Sequence, residues 1–131
     1  MDCVDLLQQL VSIPSVNPMG ATVGDNEPFE SNLTAWLTAY FGQLGVAFEC
    51  LEVAHKRANV IARYEAPNSP VTVLLDAHQD TVPVEGMTIE PFTPTLTDGR
   101  LYGRGSCDVK GGMAAMLWAF TQLVHQRPPD S

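Results

Sequence analysis

The residues best equipped for chemistry lie between Val71 and Gly112. His78-Gln79-Asp80 follows closely on the apolar run Val71 to Leu75. Residues two apart on an extended chain point to the same side, so the imidazole and the carboxylate would face one site. The end of a buried strand is a usual position for ligand sites in α/β sheets. A histidine ligates a metal well when a carboxylate or carbonyl fixes its other ring nitrogen, and Asp80 is near enough in sequence to do that. Standing alone, the triplet would be read as a surface His and Asp in a turn.

A second block, Gly103-Arg104-Gly105-Ser106-Cys107-Asp108-Val109-Lys110-Gly111-Gly112, follows. Three meanings of a glycine-rich string fail here. A phosphate loop needs its Lys followed by Ser or Thr, but Gly111 follows Lys110. A dinucleotide fingerprint needs glycine where Asp108 stands, and a carboxylate there would repel a pyrophosphate. A nucleophile elbow needs glycine two residues before the serine, where Arg104 stands. What remains is a tight backbone that delivers one acid, Asp108, just before a helix.

The segment Leu74 to Pro83 resembles the metal-binding HxD block of the M20 family of zinc-dependent exopeptidases and deacylases. Glu90-Pro91-Phe92, Asp98-Gly99 and Leu101 to Gly105 follow in that family's order, and Asp108 to Gly112 is similar to its second metal block. Val11-Ser12-Ile13-Pro14-Ser15-Val16 resembles its N-terminal segment, so the resemblance runs from about Asp2 to Val124. It implies His78 as a metal ligand and Asp108 as a carboxylate bridging two metals. Asp80 would make its catalytic contribution from behind His78, by orienting the imidazole and tuning its basicity. It also implies a cis peptide at Asp108–Val109. Two zinc ions about 3.5–4 Å apart can together polarise an amide carbonyl. Zinc is the metal implied, with cobalt the alternative.

Departures from the family pattern are equally informative. Met87 stands where many members carry tryptophan, and Cys107 stands where a small residue is usual; packing is the preferred role for Cys107, a stray soft ligand the other. The family's paired glutamates, later ligands and lid or dimerisation domain have no counterpart in residues 1–131. Two four-coordinate zinc ions need several protein ligands beyond His78 and Asp108, and no side chain here is placed as general base. The final helix offers His125, which as a lone terminal histidine is expected to face solvent. The expectation is therefore the N-terminal part of a metal-dependent hydrolase that cleaves the amide of a small N-acyl amino acid or peptide. Residues 1–131 would form part of one catalytic domain, inactive alone. Within the family, the segment Ile13 to Pro18 and the later blocks lean toward acetylornithine deacetylases over succinyl-diaminopimelate desuccinylases. The alternative is a non-catalytic metal-binding or interaction module of the same fold.

The elements that must position these residues are legible from periodicity. Asp2 can cap a helix with an apolar stripe of Val4, Leu7, Leu10 and Val11, ended by Ile13-Pro14. Ser15 to Gly24 reads as loop. A second helix is expected to start near Asn26, with Glu27 and Glu30 at its positive end. Phe29, Leu33, Trp36, Leu37, Tyr40 and Phe41 keep helical spacing, and Gly45 is the stop. Val46 to Val53 and Ala58 to Tyr64 read as strands. The continuous run Val71 to Leu75 reads as a strand covered on both faces. Thr97-Asp98-Gly99-Arg100 is a hairpin turn, and Lys110 to Gln126 a helix. Helices and strands mixed in this order imply a layered α/β domain; the resemblance implies the layered α/β/α zinc-exopeptidase-like catalytic domain, incomplete within this chain.

Composition sets the outer bounds. The 131 residues are 45% hydrophobic, the fraction of an ordinary folded domain. Seven basic against 15 acidic residues give a net charge of −8, which disfavours nucleic acid and anionic membrane surfaces as partners. A small N-acylated substrate remains the expected partner, with a homodimer for the full-length form. No run is long and apolar enough for a transmembrane helix. MDCVDLLQQL does not fit a signal peptide, so cytoplasm is the expected compartment. Cys3, Cys50 and Cys107 lack disulfide or zinc-ribbon spacing and read as small hydrophobes in a reducing environment.

Overall fold

A computed structural model describes residues 1–20, 29–67 and 69–126. Helix α1, Cys3–Ser12, begins where expected. Asp2 accepts hydrogen bonds from the backbone N–H groups of Val4 and Asp5, while the Asp5 carboxylate accepts from Asp2 N, so both free ends are satisfied. Its buried face is Leu6, Leu10 and Val11. Val4 instead lies exposed and Leu7 only borders the core, because the i, i+4 pair Leu6 and Leu10 centres the stripe.

Helix α2, Ser31–Leu44, starts later than the sequence suggested; Asn26 and Glu27 lie outside the described residues. Glu30 sits at the N-cap but makes no side-chain cap. It turns inward, 4% exposed, where Arg57 takes both its oxygens at 3.0 and 2.6 Å. A bidentate pair in a partly dry setting outcompetes a single bond to a helix N-terminus. Gly45 ends α2 in the left-handed region, φ 73°, donating to Phe41 O, as expected of a C-terminal glycine.

Strands β1, Ala47–Ala54, and β2, Arg57–Arg63, form an antiparallel hairpin. Cross-strand pairs Phe48–Ala62 and Cys50–Val60 share one face. Val60 and Ala62 pack there against the helical core of Leu6, Leu10, Leu33, Leu37, Phe41, Met113, Ala114 and Leu117. Leu51 and Val53 stay exposed. Strands β3, Thr95–Thr97, and β4, Arg100–Tyr102, make a second hairpin. Asp98 and Gly99 at its turn have φ 51° and 74°, the two positive angles a tight two-residue turn demands. Helix α3, Lys110–Gln126, packs along α1, and Phe120 meets Phe41 edge-on at 6.1 Å. The mixed α/β architecture follows the sequence, with helices over one face of the β1–β2 hairpin.

Val71 to Leu75 differs. It joins no sheet among the described residues, and Val73 and Leu74 are 77% and 84% exposed. An apolar run becomes a strand only where neighbouring backbone completes its ladder, and β1–β2 and β3–β4 pair only with themselves. Cys107 and Cys50 are exposed as well, which corrects the expectation of packed thiols; Cys3 does border the core.

One long-range contact joins α1 to α3. Lys110 is 1% exposed, and its ammonium donates to Leu10 O at 2.8 Å and Ile13 O at 2.7 Å, at the end of α1. The bonds give Ile13 O a donor just past the helix C-terminus and add a second donor at Leu10 O, which also accepts from Ile13 N. Burial pushes the Lys110 pKa down from 10.5 to about 8. Between those values the unfolded chain binds a proton that the folded chain does not, so stability rises with pH across that window. The stability difference between the parent chain and Lys110→Met should therefore grow from pH 8 to 10.5, by up to about 3 kcal/mol. Urea unfolding of both proteins across the window measures it, and a flat difference would refute the assignment. The bare apolar run gives a second prediction: the 131-residue chain associates as its concentration rises. Charging Val73 and Leu74 to Lys should suppress this in light scattering, whereas a monodisperse parent with a sharp, reversible melt would refute it.

Candidate metal centre

The loop after Leu75 is fixed by the residues on either side of Asp80. The Gln79 amide donates to Ala58 O on β2 at 2.7 Å and accepts from the Thr34 hydroxyl on α2 at 3.0 Å. Thr81 N donates to Ser15 O at 2.9 Å and Asn17 N to Thr81 O at 2.8 Å, a short parallel bridge that ties the segment after α1 to this loop. With Gln79 and Thr81 both anchored inward, alternation turns His78 and Asp80 to the other side.

The second block arrives through close backbone packing. Gly103, at φ 155°, lies so near Val11 that a side chain would collide with it. A Cβ on Gly111 would meet Ser106 O at 2.6 Å. Lys110 N donates to Gly105 O at 2.9 Å, which folds the chain tightly around Asp108. The Asp108–Val109 peptide is cis, as the family resemblance implied.

These two loops bring His78, Asp80 and Asp108 together. His78 Nε2 lies 3.1 Å from Asp108 Oδ1, while His78 Nδ1 faces Asp80 O at 2.9 Å and Asp80 Oδ1 at 3.1 Å. The imidazole therefore has its two nitrogens on two different acids. With Nδ1–H donated to Asp80 O and facing the Asp80 carboxylate, Nε2 would carry the free lone pair, the tautomer that metal-binding histidines use. Asp108 is 85% exposed at its side chain, which leaves its carboxylate accessible.

The electrostatics follow from the same contacts. Desolvation works against a charged His78 ring, but the hydrogen bonds to Asp108 and Asp80, with the charges of both carboxylates, outweigh it and raise its pKa above 6.5. Partial burial would raise Asp80, yet the hydrogen bond from Asn17 and the charges of His78 and Arg57 hold it below 3.8. The Arg57 pKa is raised, chiefly by its bond to Glu30.

An imidazole Nε2 beside a carboxylate is a donor set that suits zinc. No cluster of three or more His, Cys, Asp and Glu that could hold a metal ion forms among the described residues, and a zinc ion would need donors beyond this pair. His125 is exposed on the last turn of α3, and Met87 is half-buried. Sequence reading missed Asn17, Gln79, Arg57 and Glu30, the residues that hold the pair. Their only signal was polarity at positions flanking apolar or motif residues.

The pattern of Peptidase family M20/M25/M40 matches residues 74–131. A succinyl-diaminopimelate desuccinylase of Stenotrophomonas maltophilia is 36% identical over 128 residues, covering 95% of this chain and 31% of that protein. One of Wolinella succinogenes is 32% identical over 123 residues, covering 93% and 30%. The chain thus spans about 30% of the length of these curated relatives. In fold, human carnosine dipeptidase 1 superposes with a TM-score of 0.67 at 21% identity, over 95% of this chain and 28% of the other. With the pattern covering the segment that carries His78, Asp80 and Asp108, and nearly the whole of this chain aligned to part of these relatives, the chain matches a part of the longer enzymes of peptidase family M20/M25/M40.

Proposed function

We propose that this chain supplies two protein ligands, His78 and Asp108, to the zinc centre of a hydrolase that cleaves the amide of a small N-acylated amino acid or peptide. The observation that carries the reading is the 3.1 Å approach of His78 Nε2 to Asp108 Oδ1, with Asp80 on the far nitrogen of the same ring. His78 and Asp108 would hold the zinc, and its chemistry there would be Lewis-acid polarisation of a substrate carbonyl.

The chain's own residues prepare that chemistry. Asp80 keeps the His78 proton on Nδ1 and adds electron density to the ring, which strengthens Nε2 as a donor. Asp108 has two oxygens on one rigid loop, so it can serve two ions at once, as a histidine cannot. The loop's rigidity comes from Gly111 against Ser106 and from Lys110 against α1.

The curated relatives are named for removal of a succinyl group, which supports a succinylated amino acid as substrate ahead of the acetylated one that the Ile13 to Pro18 segment suggested. Further zinc ligands and a general base would have to be supplied by residues other than these. Residues 1–131 alone are therefore expected to hydrolyse neither substrate. Cytoplasmic placement and a homodimer of the complete enzyme belong to the same proposal; no helix among the described residues is long and apolar enough to cross a membrane.

The test is zinc binding by calorimetry in the complete enzyme. His78→Ala and Asp108→Ala should each weaken binding at least about tenfold, since even the loss of an outer-shell partner costs that much. Unchanged affinity in both variants would refute the ligand assignment.

A further inference from the structure

We infer that Asn17 is a positioning residue for the metal centre: its side-chain amide holds the outer oxygen of Asp80, so that the inner oxygen faces His78. The inference rests on the reading of His78 and Asp108 as zinc ligands.

Asp80 presents Oδ1 to His78 Nδ1 at 3.1 Å and Oδ2 to Asn17 Nδ2 at 2.8 Å. A carboxylate turns easily about its last torsion, so something must set which way it faces. The competing cation is Arg57, whose Nη2 stands 3.9 Å from Asp80 Oδ2. That separation is too long for a hydrogen bond. The guanidinium is already engaged by Glu30 through Nε and Nη2. The direct bond to Oδ2 comes from Asn17.

Asn17 is itself fixed at two points besides its bond to Asp80. Its backbone N–H donates to Thr81 O at 2.8 Å, one residue beyond Asp80. Its Oδ1 accepts from Met19 N at 3.0 Å, closing a turn. Because Met19 N–H can only donate, it identifies that atom as the amide oxygen and leaves the NH2 group for Asp80. The two ends of one amide thus perform separable tasks, one local and one directed at the site.

Asn17→Asp separates them. Aspartate has the same shape and still accepts from Met19 N, so the turn survives. It cannot donate to Asp80, and it places a second carboxylate beside the first, which drives Asp80 toward Arg57. By charge alone, an added carboxylate near a cation site would tighten zinc. Positioning predicts the opposite sign. In the complete enzyme, Asn17→Asp should weaken zinc binding about tenfold with zinc alone as the probe. In the metal-free protein, the Hδ1 resonance of His78 should move upfield as the Asp80 carboxylate turns away from the Nδ1–H that it faces. The thermal midpoint should stay near that of the parent. Affinity that is unchanged or tighter, with Hδ1 unmoved, overturns the inference. Should Asn17→Asp fail to fold, Asn17→Ser keeps a turn-forming oxygen but is too short to reach Asp80, and the same outcomes decide. His78→Ala measured alongside separates the two readings. If it abolishes zinc binding while the Asn17 variant retains it, the inference about Asn17 alone falls. If His78→Ala binds zinc as the parent does, the ligand reading falls.

Discussion

The buried ammonium of Lys110 is the contact on which the placement of the site depends. A lysine seldom enters a protein interior, because desolvation of its charge costs several kcal/mol unless polar groups replace the water. Here Leu10 O and Ile13 O, at the end of α1, provide that replacement. The exchange is local and mutual: the helix end gains donors, and the lysine gains acceptors. Since Lys110 is also the first residue of α3, the same two bonds set where α3 begins relative to α1. Asp108 lies two residues upstream on a loop with no room for side chains at Gly103 or Gly111. The position of one acid is thereby referred back to residues nearly a hundred positions earlier in the chain.

A second chain of contacts approaches the site from the other side. Glu30, Arg57, Asp80, His78 and Asp108 alternate in sign, from a buried acid to an exposed one. Glu30 occupies Arg57, and so leaves Asp80 to be claimed by Asn17 and His78. Two acids flank the imidazole, which favours a positive charge on it; a metal ion at Nε2 would satisfy the same field that otherwise favours a proton. The overall charge of −8 extends this preference over the surface and favours the approach of cations.

The legible parts of the sequence were those governed by neighbours in the chain. Asp2 as a cap, Gly45 as a helix stop, the Asp98-Gly99 turn and the span of α3 depend on local backbone chemistry, and each stands where it was read. The meeting of His78 with Asp80 was legible for the same reason. Its meeting with Asp108 required the family resemblance, since nothing local relates two loops 30 residues apart. Glu30 was read as a helix-dipole residue, because its partner Arg57 lies 27 positions away and periodicity carries no trace of it. Leu6 was passed over for Val4 and Leu7, since a stripe drawn from one helix cannot show which flank the second helix will cover.

Val71 to Leu75 shows the limit of that kind of reading most sharply. Its apolar residues fit a strand buried on both faces, yet burial belongs to the sheet and not to the strand. Without neighbours on its two edges the run stands exposed, although His78, three residues on, is held in place. The reason is that the His78 loop does not borrow its order from that run. Gln79 is pinned to α2 and β2, Thr81 to Ser15 and Asn17, and each pinning bond lies outside Val71 to Leu75. The His78, Asp80 and Asp108 arrangement can therefore keep its geometry while the segment leading into it joins no sheet among the described residues. Order at the candidate metal centre is built from side-chain and loop hydrogen bonds first, and a completed sheet would add to it from outside.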